Sequence, residues 1–346
     1  MLEVDPEILV QIVKEHAKED IPDDVEVKTV SYDPAHTTYE IHGYWVKVPR
    51  SEPKNPAWTT LHREHFALEK MYRMNRSTVD FALHVPITTP LHIGSAGEKF
   101  AWPFLVVKAL SGKSLASFMQ GDADLGSNEA QQYGEIAGKY LARIHAIQVK
   151  GAGLINPGLT GVHPGPWQKY FQLVAEAEWK QLKLSNVVDA HLLERLAALT
   201  EKKKGLLIGE IVALAHNDYN FANILVDPEK LKIIGVLNFY QAGAASAMAD
   251  ISAFYIHCHN EVLWNAFAKG YEAVRSMPGG GMEKLSYYAF HFGMNAAAFF
   301  HARGHEANKG YYLRRALESA ARLDDSFNAE ASKYSSFRRV QYRAGT

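Results

Sequence analysis

One stretch of the chain carries oxygen-bearing side chains on what reads as a loop between apolar elements. It runs Leu214-Ala215-His216-Asn217-Asp218-Tyr219-Asn220-Phe221-Ala222-Asn223-Ile224-Leu225-Val226. An Asp and an Asn held on one loop offer hard oxygen ligands to a cation such as Mg2+. The Asp can also take a proton from a substrate hydroxyl. A second short apolar run ends Gly235-Val236-Leu237-Asn238-Phe239, and Asn238 there can supply another oxygen. An amide oxygen coordinates a metal but brings no charge. One unit charge roughly 2 Å from an ion is a term of several kcal/mol at an effective dielectric of about 20, before desolvation offsets it.

Other polar clusters carry less. In His257-Cys258-His259, neighbours on a helix point in different directions and cannot converge on one ion. His301 and His305 have i, i+4 spacing but no evident third ligand, so a surface or capping role is expected. Lys202-Lys203-Lys204 before Gly205 complements a helix C-terminus. Cys258 reads as a buried, inert thiol.

Three groups of elements must position the polar loop. Residues 5–18 read as a helix, with Asp5 as cap, Pro6 in the first turn, and an apolar stripe of Ile8, Leu9, Ile12 and Val13. Strand signals follow at Glu26 to Val30, Thr37 to Ile41 and Tyr44 to Val48, the last two joined by His42-Gly43. Thr60 to Met74 is helical, Val79 to Pro90 extended, and Phe100 to Lys108 a largely buried strand. The character changes after Ser111-Gly112. Ser114 to Met119 reads as a short helix, and Asn128 caps a long one. Gly151 to Pro166 reads as an irregular excursion. Trp167 to Leu184 and Ala190 to Lys203 are helical, while Ile224 to Val226 and Ile233 to Leu237 are short strands. The tail from Ala249 onward is helical with one break, at Pro278 to Gly281. The expectation is an α+β protein with a small antiparallel-sheet lobe over residues 1–108 and a larger, mainly helical lobe over residues 109–346.

Composition narrows the function. The 346 residues carry 37 Lys+Arg against 38 Asp+Glu, a formal net charge of -1, which gives no general pull toward nucleic acid or an anionic membrane. No apolar run approaches the roughly 18–20 residues that span a bilayer. Glu3, Asp5 and Glu7 near the N-terminus fit neither a secretory signal nor an Arg-rich transit peptide. A single cysteine allows no internal disulfide, so a reducing cytoplasm is expected.

The His-x-Asp pattern with an Asn five residues later resembles the catalytic loop of the protein-kinase-like superfamily. Its wording is closer to the aminoglycoside phosphotransferase family, whose loop typically reads His-Gly-Asp-x-x-x-x-Asn-Ile-Leu-Val and whose next strand ends Val-Ile-Asp-Trp. The matching residues are His216-Asn217-Asp218, Asn223-Ile224-Leu225-Val226 and Val236-Leu237-Asn238-Phe239. Further resemblances fall in chain order. Tyr44-Trp45-Val46-Lys47-Val48-Pro49-Arg50 is similar to the strand with the phosphate-pairing base, in the form seen in macrolide 2'-phosphotransferases. His62-Arg63-Glu64 resembles the helix whose Glu holds that base. Phe104 to Leu115 resembles the strand and hinge between lobes, Tyr140 to His145 the Leu-Ala-x-Leu-His helix, and Asp250 the acid that braces the loop.

The resemblance implies a protein-kinase-like bilobal fold. It also implies transfer of the γ-phosphoryl of ATP or GTP, with Mg2+, to a hydroxyl of a small molecule. A macrolide or aminoglycoside antibiotic is the first expectation for that acceptor; choline, homoserine or a sugar amine is the other. In these terms Asp218 is the base and His216 orients the loop. Lys47, held by Glu64, pairs with the α- and β-phosphates. Ser31 and Thr37 belong to the cover over the nucleotide, and Val107, Lys108, Ala109 and Leu110 form the hinge. Asn223 and Asn238 hold the metal. Tyr219, Tyr240, Tyr255, Asn295 and Phe299 are expected around the acceptor, with Phe254, His257, Phe292 and Phe300 further candidates.

Three positions depart from the family pattern. No glycine lies between Ser31 and Thr38, Asn217 stands for the loop Gly, and Asn238 for the second metal-binding Asp. The last leaves three readings open: an enzyme that works with Asn, a pseudokinase-like nucleotide binder with little turnover, or a change introduced to trap a complex. Oligomeric state is not readable from the sequence.

Overall fold

The structure is a computed structural model and describes residues 4–17, 19–32, 35–52, 59–99, 101–118, 125–156, 158 and 160–338. The first helix, α1 (Pro6–His16), starts where expected: the Asp5 side chain accepts from the Glu7 amide, and Pro6 occupies the first turn. Strands β1 (Lys28–Tyr32), β2 (His36–Ile41) and β3 (Tyr44–Pro49) follow. His42 and Gly43, both at positive φ, make the β2–β3 turn. The helix α2 (Thr60–Ser77) opens on a capping box between Thr59 and His62. Then come β4 (Pro90–Gly94) and β5 (Phe104–Lys108). The five strands form one antiparallel sheet in the order β1-β2-β3-β5-β4.

The period of two along β3 sorts its side chains. Tyr44, Val46 and Val48 join Leu9, Ile12 and Val13 of α1 in one apolar cluster, while Trp45 joins Leu61, Leu68 and Met71 of α2 in the main core. Lys47 therefore faces α2, whose buried positions Leu61, Glu64, Leu68 and Met71 recur at helical spacing. This is how a strand lysine and a helix glutamate meet beneath the sheet.

The rest of the chain comprises β6 (Lys113–Ser114), α3 (Ser127–Ile144), β7 (Ala152–Asn156), β8 (Thr160–His163), α4 (Trp167–Ser185), α5 (Ala190–Lys203), β9 (Val212–Ala215), β10 (Ile224–Asp227), β11 (Lys232–Val236), β12 (Gly243–Ser246), α6 (Ala247–His257), α7 (Glu261–Glu272), α8 (Gly281–His301), α9 (Glu306–Ala321) and α10 (Asn328–Lys333). Its short strands form two small sheets, β11-β10-β6 and β8-β7-β12-β9. The protein is thus an α+β fold with an antiparallel sheet toward the N-terminus and helices toward the C-terminus. Helices α3 and α7 pack with almost no gap. A Cβ on Gly138 would lie 2.0 Å from the Phe267 carbonyl oxygen, so glycine is required there. No helix among the described residues is long and apolar enough to cross a membrane.

Several elements differ from the sequence reading. The first strand lies at Lys28–Tyr32, two residues later than expected, and β4 falls at the end of the stretch read as merely extended. Ser114 ends a two-residue strand, and Leu115–Phe118 is a 3-10 turn. The long helix begins at Ser127, with Gly126 rather than Asn128 at its cap. Gly151 to Pro166 is largely the hairpin β7–β8, hidden because Gly151, Gly153 and Gly158 at positive φ interrupt the alternation. β12 was invisible because Gly243-Ala244-Ala245-Ser246 contains no β-branched or aromatic residue. The tail breaks near residues 258–260 and 302–305 as well as before α8. Phe100 and Met119, named in the expected elements, and residues 33 and 34 of the expected nucleotide cover lie outside the described residues.

Candidate active site

β9 delivers the polar loop and β10 leads away from it. Asp250, buried in the first turn of α6, fixes the loop backbone. Its Oδ2 accepts the His216 amide at 2.6 Å and its Oδ1 the Asn217 amide at 2.8 Å. The His145 Nε2 lies 3.2 Å from the same Oδ2. His216 is fully buried and engaged at both ring nitrogens. Nε2–H donates to the Leu237 carbonyl (2.8 Å), which leaves Nδ1 to accept the Asp218 amide (3.2 Å). With both nitrogens committed, His216 orients the loop and has no free lone pair to act as a base. Asn217 sits at φ 60, a left-handed conformation that Asn tolerates where the family has Gly. Its amide donates to the Gln241 carbonyl, and a Cβ on Gly243 would press within 2.4 Å of it.

Asp218 is half-buried. Its Oδ1 accepts from Asn220 Nδ2 at 2.6 Å and its Oδ2 from Asn223 Nδ2 at 2.8 Å. Burial raises its carboxyl above the usual range. His216 and the two amide donors oppose that rise, and Asp250 adds to it.

A continuous line of hydrogen bonds runs from this acid toward the sheet. Asn238 Nδ2 donates to Asn223 Oδ1 at 2.7 Å, and Lys47 Nζ donates to Asn238 Oδ1 at 3.1 Å. Lys47 also pairs with Glu64 at 2.6 Å, both side chains being almost wholly buried. Asn238 reaches this line from a left-handed backbone (φ 64, ψ 55). Arg63 adds a second tie from α2 through Nη1 to the Tyr240 carbonyl, 2.8 Å away. Polar groups 191 residues apart in sequence, Lys47 and Asn238, are thereby joined.

One cavity opens on each side of the line. The first, of about 370 Å³, lies against Thr38, Trp45, Lys47, Leu110, Leu225 and Asn238. The second, of about 360 Å³, lies against Asp218 and Asn220 on the loop, Trp167, Tyr170, Phe171 and Glu178 on α4, and Phe292 and Asn295 on α8.

The expected site residues divide accordingly. Lys47, Glu64, Asp218, His216, Asn223 and Asn238 come together, and Leu110 lines the first cavity. Thr37 is buried on β2, and its neighbour Thr38 faces that cavity instead, as strand alternation requires. Ser31 pairs with Thr38 on β1. Val107 is core, and the Ala109 amide is spent on the Gly43 carbonyl. Lys108 pairs with Glu19 and lies over the Tyr44 ring, away from the cavity.

On the acceptor side, Asn295, His257 and Phe292 line the second cavity. Tyr219 does not: it is fully buried, with its hydroxyl on the Ala137 carbonyl. Tyr240 packs edge-on against His36, Tyr255 lies under Arg315, and Phe299 lies under Arg303 at the surface. Phe254 stacks on Phe267 and Phe300 on Tyr312. These aromatics are packing residues, a role that composition alone does not separate from ligand contact. The residues missed were Trp167, Tyr170, Phe171 and Glu178. They recur along one helix at spacings of three, four and seven, the signal that an α4 face looks onto something.

A divalent cation of a nucleotide would meet hard oxygen donors here. Asn223 Oδ1 and Asn238 Oδ1 fit Mg2+ in donor type, though each already accepts a hydrogen bond and neither carries charge.

The family model of phosphotransferase enzymes, APH, matches residues 37–288, so the chain belongs to that phosphotransferase family. Solved structures similar to it are aminoglycoside phosphotransferases. A thermostable mutant of APH(4)-Ia, in a ternary complex with ADP and hygromycin B, is 14% identical with a TM-score of 0.60, covering 92% of this chain and 97% of that one. The GDP and kanamycin complex of APH(2")-IIIa is 14% identical with a TM-score of 0.60, covering 93% and 98%. The GDP complex of wild-type aminoglycoside 2'-phosphotransferase-IIIa is 12% identical with a TM-score of 0.61, covering 92% and 99%. At these identities the likeness establishes the fold, which is the kinase-like one.

Proposed function

We propose that this protein transfers the γ-phosphoryl group of ATP or GTP to a hydroxyl of a small molecule, a macrolide or aminoglycoside antibiotic in the first instance. The observation that carries the reading is the line Glu64–Lys47–Asn238–Asn223–Asp218 with a cavity at each end. The nucleotide occupies the cavity beside Lys47, between an N-terminal lobe of residues 1–108 and a C-terminal lobe of residues 109–346. Lys47, fixed by Glu64, pairs with the α- and β-phosphates. Asn223 and Asn238 would hold Mg2+ through their amide oxygens, and the ion would supply charge neutralisation for the transferring phosphoryl group.

The acceptor hydroxyl sits in the second cavity against Asp218. Its oxygen bonds to the γ-phosphorus as the bond from that phosphorus to the bridging oxygen breaks. Its proton passes to Asp218, and a nucleoside diphosphate leaves. The raised carboxyl of Asp218 suits it to take that proton. Phosphoryl transfer asks chiefly for positioning and charge neutralisation, which these groups provide in kind. Similar proteins crystallised with ADP and hygromycin B, or with GDP and kanamycin, support the pairing of a nucleotide with a hydroxyl-rich antibiotic. The cytoplasm is the expected compartment.

A second reading, a nucleotide-binding protein with little turnover, is favoured by one observation: the uncharged Asn238 at a metal position. A screen of hydroxyl acceptors with ATP and with GTP separates the two. The enzyme reading expects an acceptor-dependent nucleoside diphosphate and an acceptor that gains one phosphoryl group by mass. Nucleotide binding with no product from any acceptor would favour the second reading.

A further inference from the structure

The acceptor-side cavity contains a carboxylate that the proposed transfer does not use. Glu178 of α4 lines it with Trp167, Tyr170, Phe171, Val174 and Phe292, a wall of rings and methyl groups. Among the described residues its polar contact is a hydrogen bond from Asn295 on α8, and no cationic side chain there pairs with it. Burial pushes its carboxyl up to about 7. The other titratable groups on this cavity are Asp218, Asp250, His257 and Tyr170. Asp250 is spent on two backbone amides and His145, and His257 on the Tyr312 hydroxyl. Arg63, whose charge acts on Tyr170, is tied to the Tyr240 carbonyl. A carboxylate in apolar surroundings is costly unless a cation meets it. The described residues supply none, so the partner is expected to arrive with the ligand.

We propose that Glu178 is the seat for a single ammonium group on the acceptor, whose remaining body is largely apolar. This rests on the phosphoryl-transfer reading for the word acceptor, and on the cavity alone for the binding. It narrows the substrate class. Apart from the acid at the reacting hydroxyl, the cavity offers one unspent carboxylate. A polycation would bring more ammonium groups than the cavity has unspent carboxylates to meet them. A neutral ligand would leave Glu178 with the Asn295 hydrogen bond and no cation. A hydrophobic hydroxyl compound with one amine meets both conditions.

Calorimetry on the full chain without nucleotide tests this independently of turnover. The probes are a macrolide bearing one dimethylamino sugar, its deaminated neutral derivative, and kanamycin. Wild type should bind the amine about tenfold more tightly than either other probe. Glu178→Gln, which keeps the size and the Asn295 contact, should lose that preference, and Glu178→Asp should recover part of it. No binding of the amine by wild type, equal affinity for the neutral derivative, tighter binding of kanamycin, or an unchanged preference in Glu178→Gln would each overturn the proposal. Binding of the amine without nucleotide consumption would overturn the transfer reading and leave the ammonium seat standing.

Discussion

The two cavities are nearly equal in size and built in opposite ways. The Lys47 side is assembled from strands and a backbone-anchored loop, and its polar groups satisfy one another: Glu64 with Lys47, Lys47 with Asn238, Asn238 with Asn223. The Asp218 side is walled by helices α4, α6 and α8, and sets aromatic rings around Glu178, which has no cationic partner among the described residues. The polar loop proposed to carry the transfer is held by the backbone, through Asp250 and the His216–Leu237 bond. The residues proposed to meet the acceptor stand on helix faces, where a substitution changes a wall and leaves the loop in place.

The largest expected effect breaks the comparison at its midpoint. Asp218→Ala should lower acceptor-dependent product formation by about 10²–10⁴-fold, with nucleotide affinity little changed. Next, Glu64→Ala should leave Lys47 buried without its carboxylate. Removing one partner of a buried pair typically costs about 3–5 kcal/mol, so denaturant unfolding should shift clearly, and the KM for nucleotide should rise while that for acceptor does not. A smaller effect in the other direction is expected of Asn238→Asp. It restores a charge at the metal position and should raise turnover and tighten Mg2+ dependence by about tenfold or more. Nucleotide binding without turnover in both the wild type and the variant would favour the binding-protein reading.

The helical side should answer to pH through two buried groups. Glu178 has its folded value near 7, above its ordinary 4.5, so the folded state holds the extra proton between them. The stability it contributes is full below 4.5 and is lost as pH rises through 7, and Glu178→Gln should melt higher than wild type at pH 8 but not at pH 4. His291, packed on Phe171 behind the cavity wall, runs the other way. Burial holds its ring down to about 3, so the unfolded state protonates first and stability falls as pH drops from 6.5 toward 3. Melting curves from pH 3 to 8 read both trends. The smallest effect belongs to Lys108→Ala. This exposed side chain pairs with Glu19 outside the cavity, so neither melting temperature nor nucleotide KM should move appreciably.

What was legible in the sequence follows the same division. Lys47, Asp218, Asn223 and Asn238 could be picked out because the family patterns they resemble lie within short strands and loops, where local backbone geometry carries a spacing into space. Tyr219, Tyr240 and Tyr255 could not be assigned in that way, because a helical core of this size buries many rings and only packing decides which one faces a ligand. Glu178 gave no motif at all. Its meaning comes from α8 placing Asn295 beside it and from the absence of a cation among its described neighbours. Among the strands, β3 declared itself through Tyr44-Trp45-Val46-Lys47-Val48, while β12, made of Gly, Ala and Ser, depends on β9 and β7 to define it.

A single-turnover experiment tests the central claim most directly. Protein in excess is mixed with ATP or GTP labelled at the γ-phosphate and an amine-bearing macrolide, and the label is followed. The account predicts label on the acceptor hydroxyl with wild type and little with Asp218→Ala, while both proteins bind the nucleotide equally. Label appearing at the same rate in both, or a wild type that binds nucleotide and acceptor and never transfers the label, would contradict it.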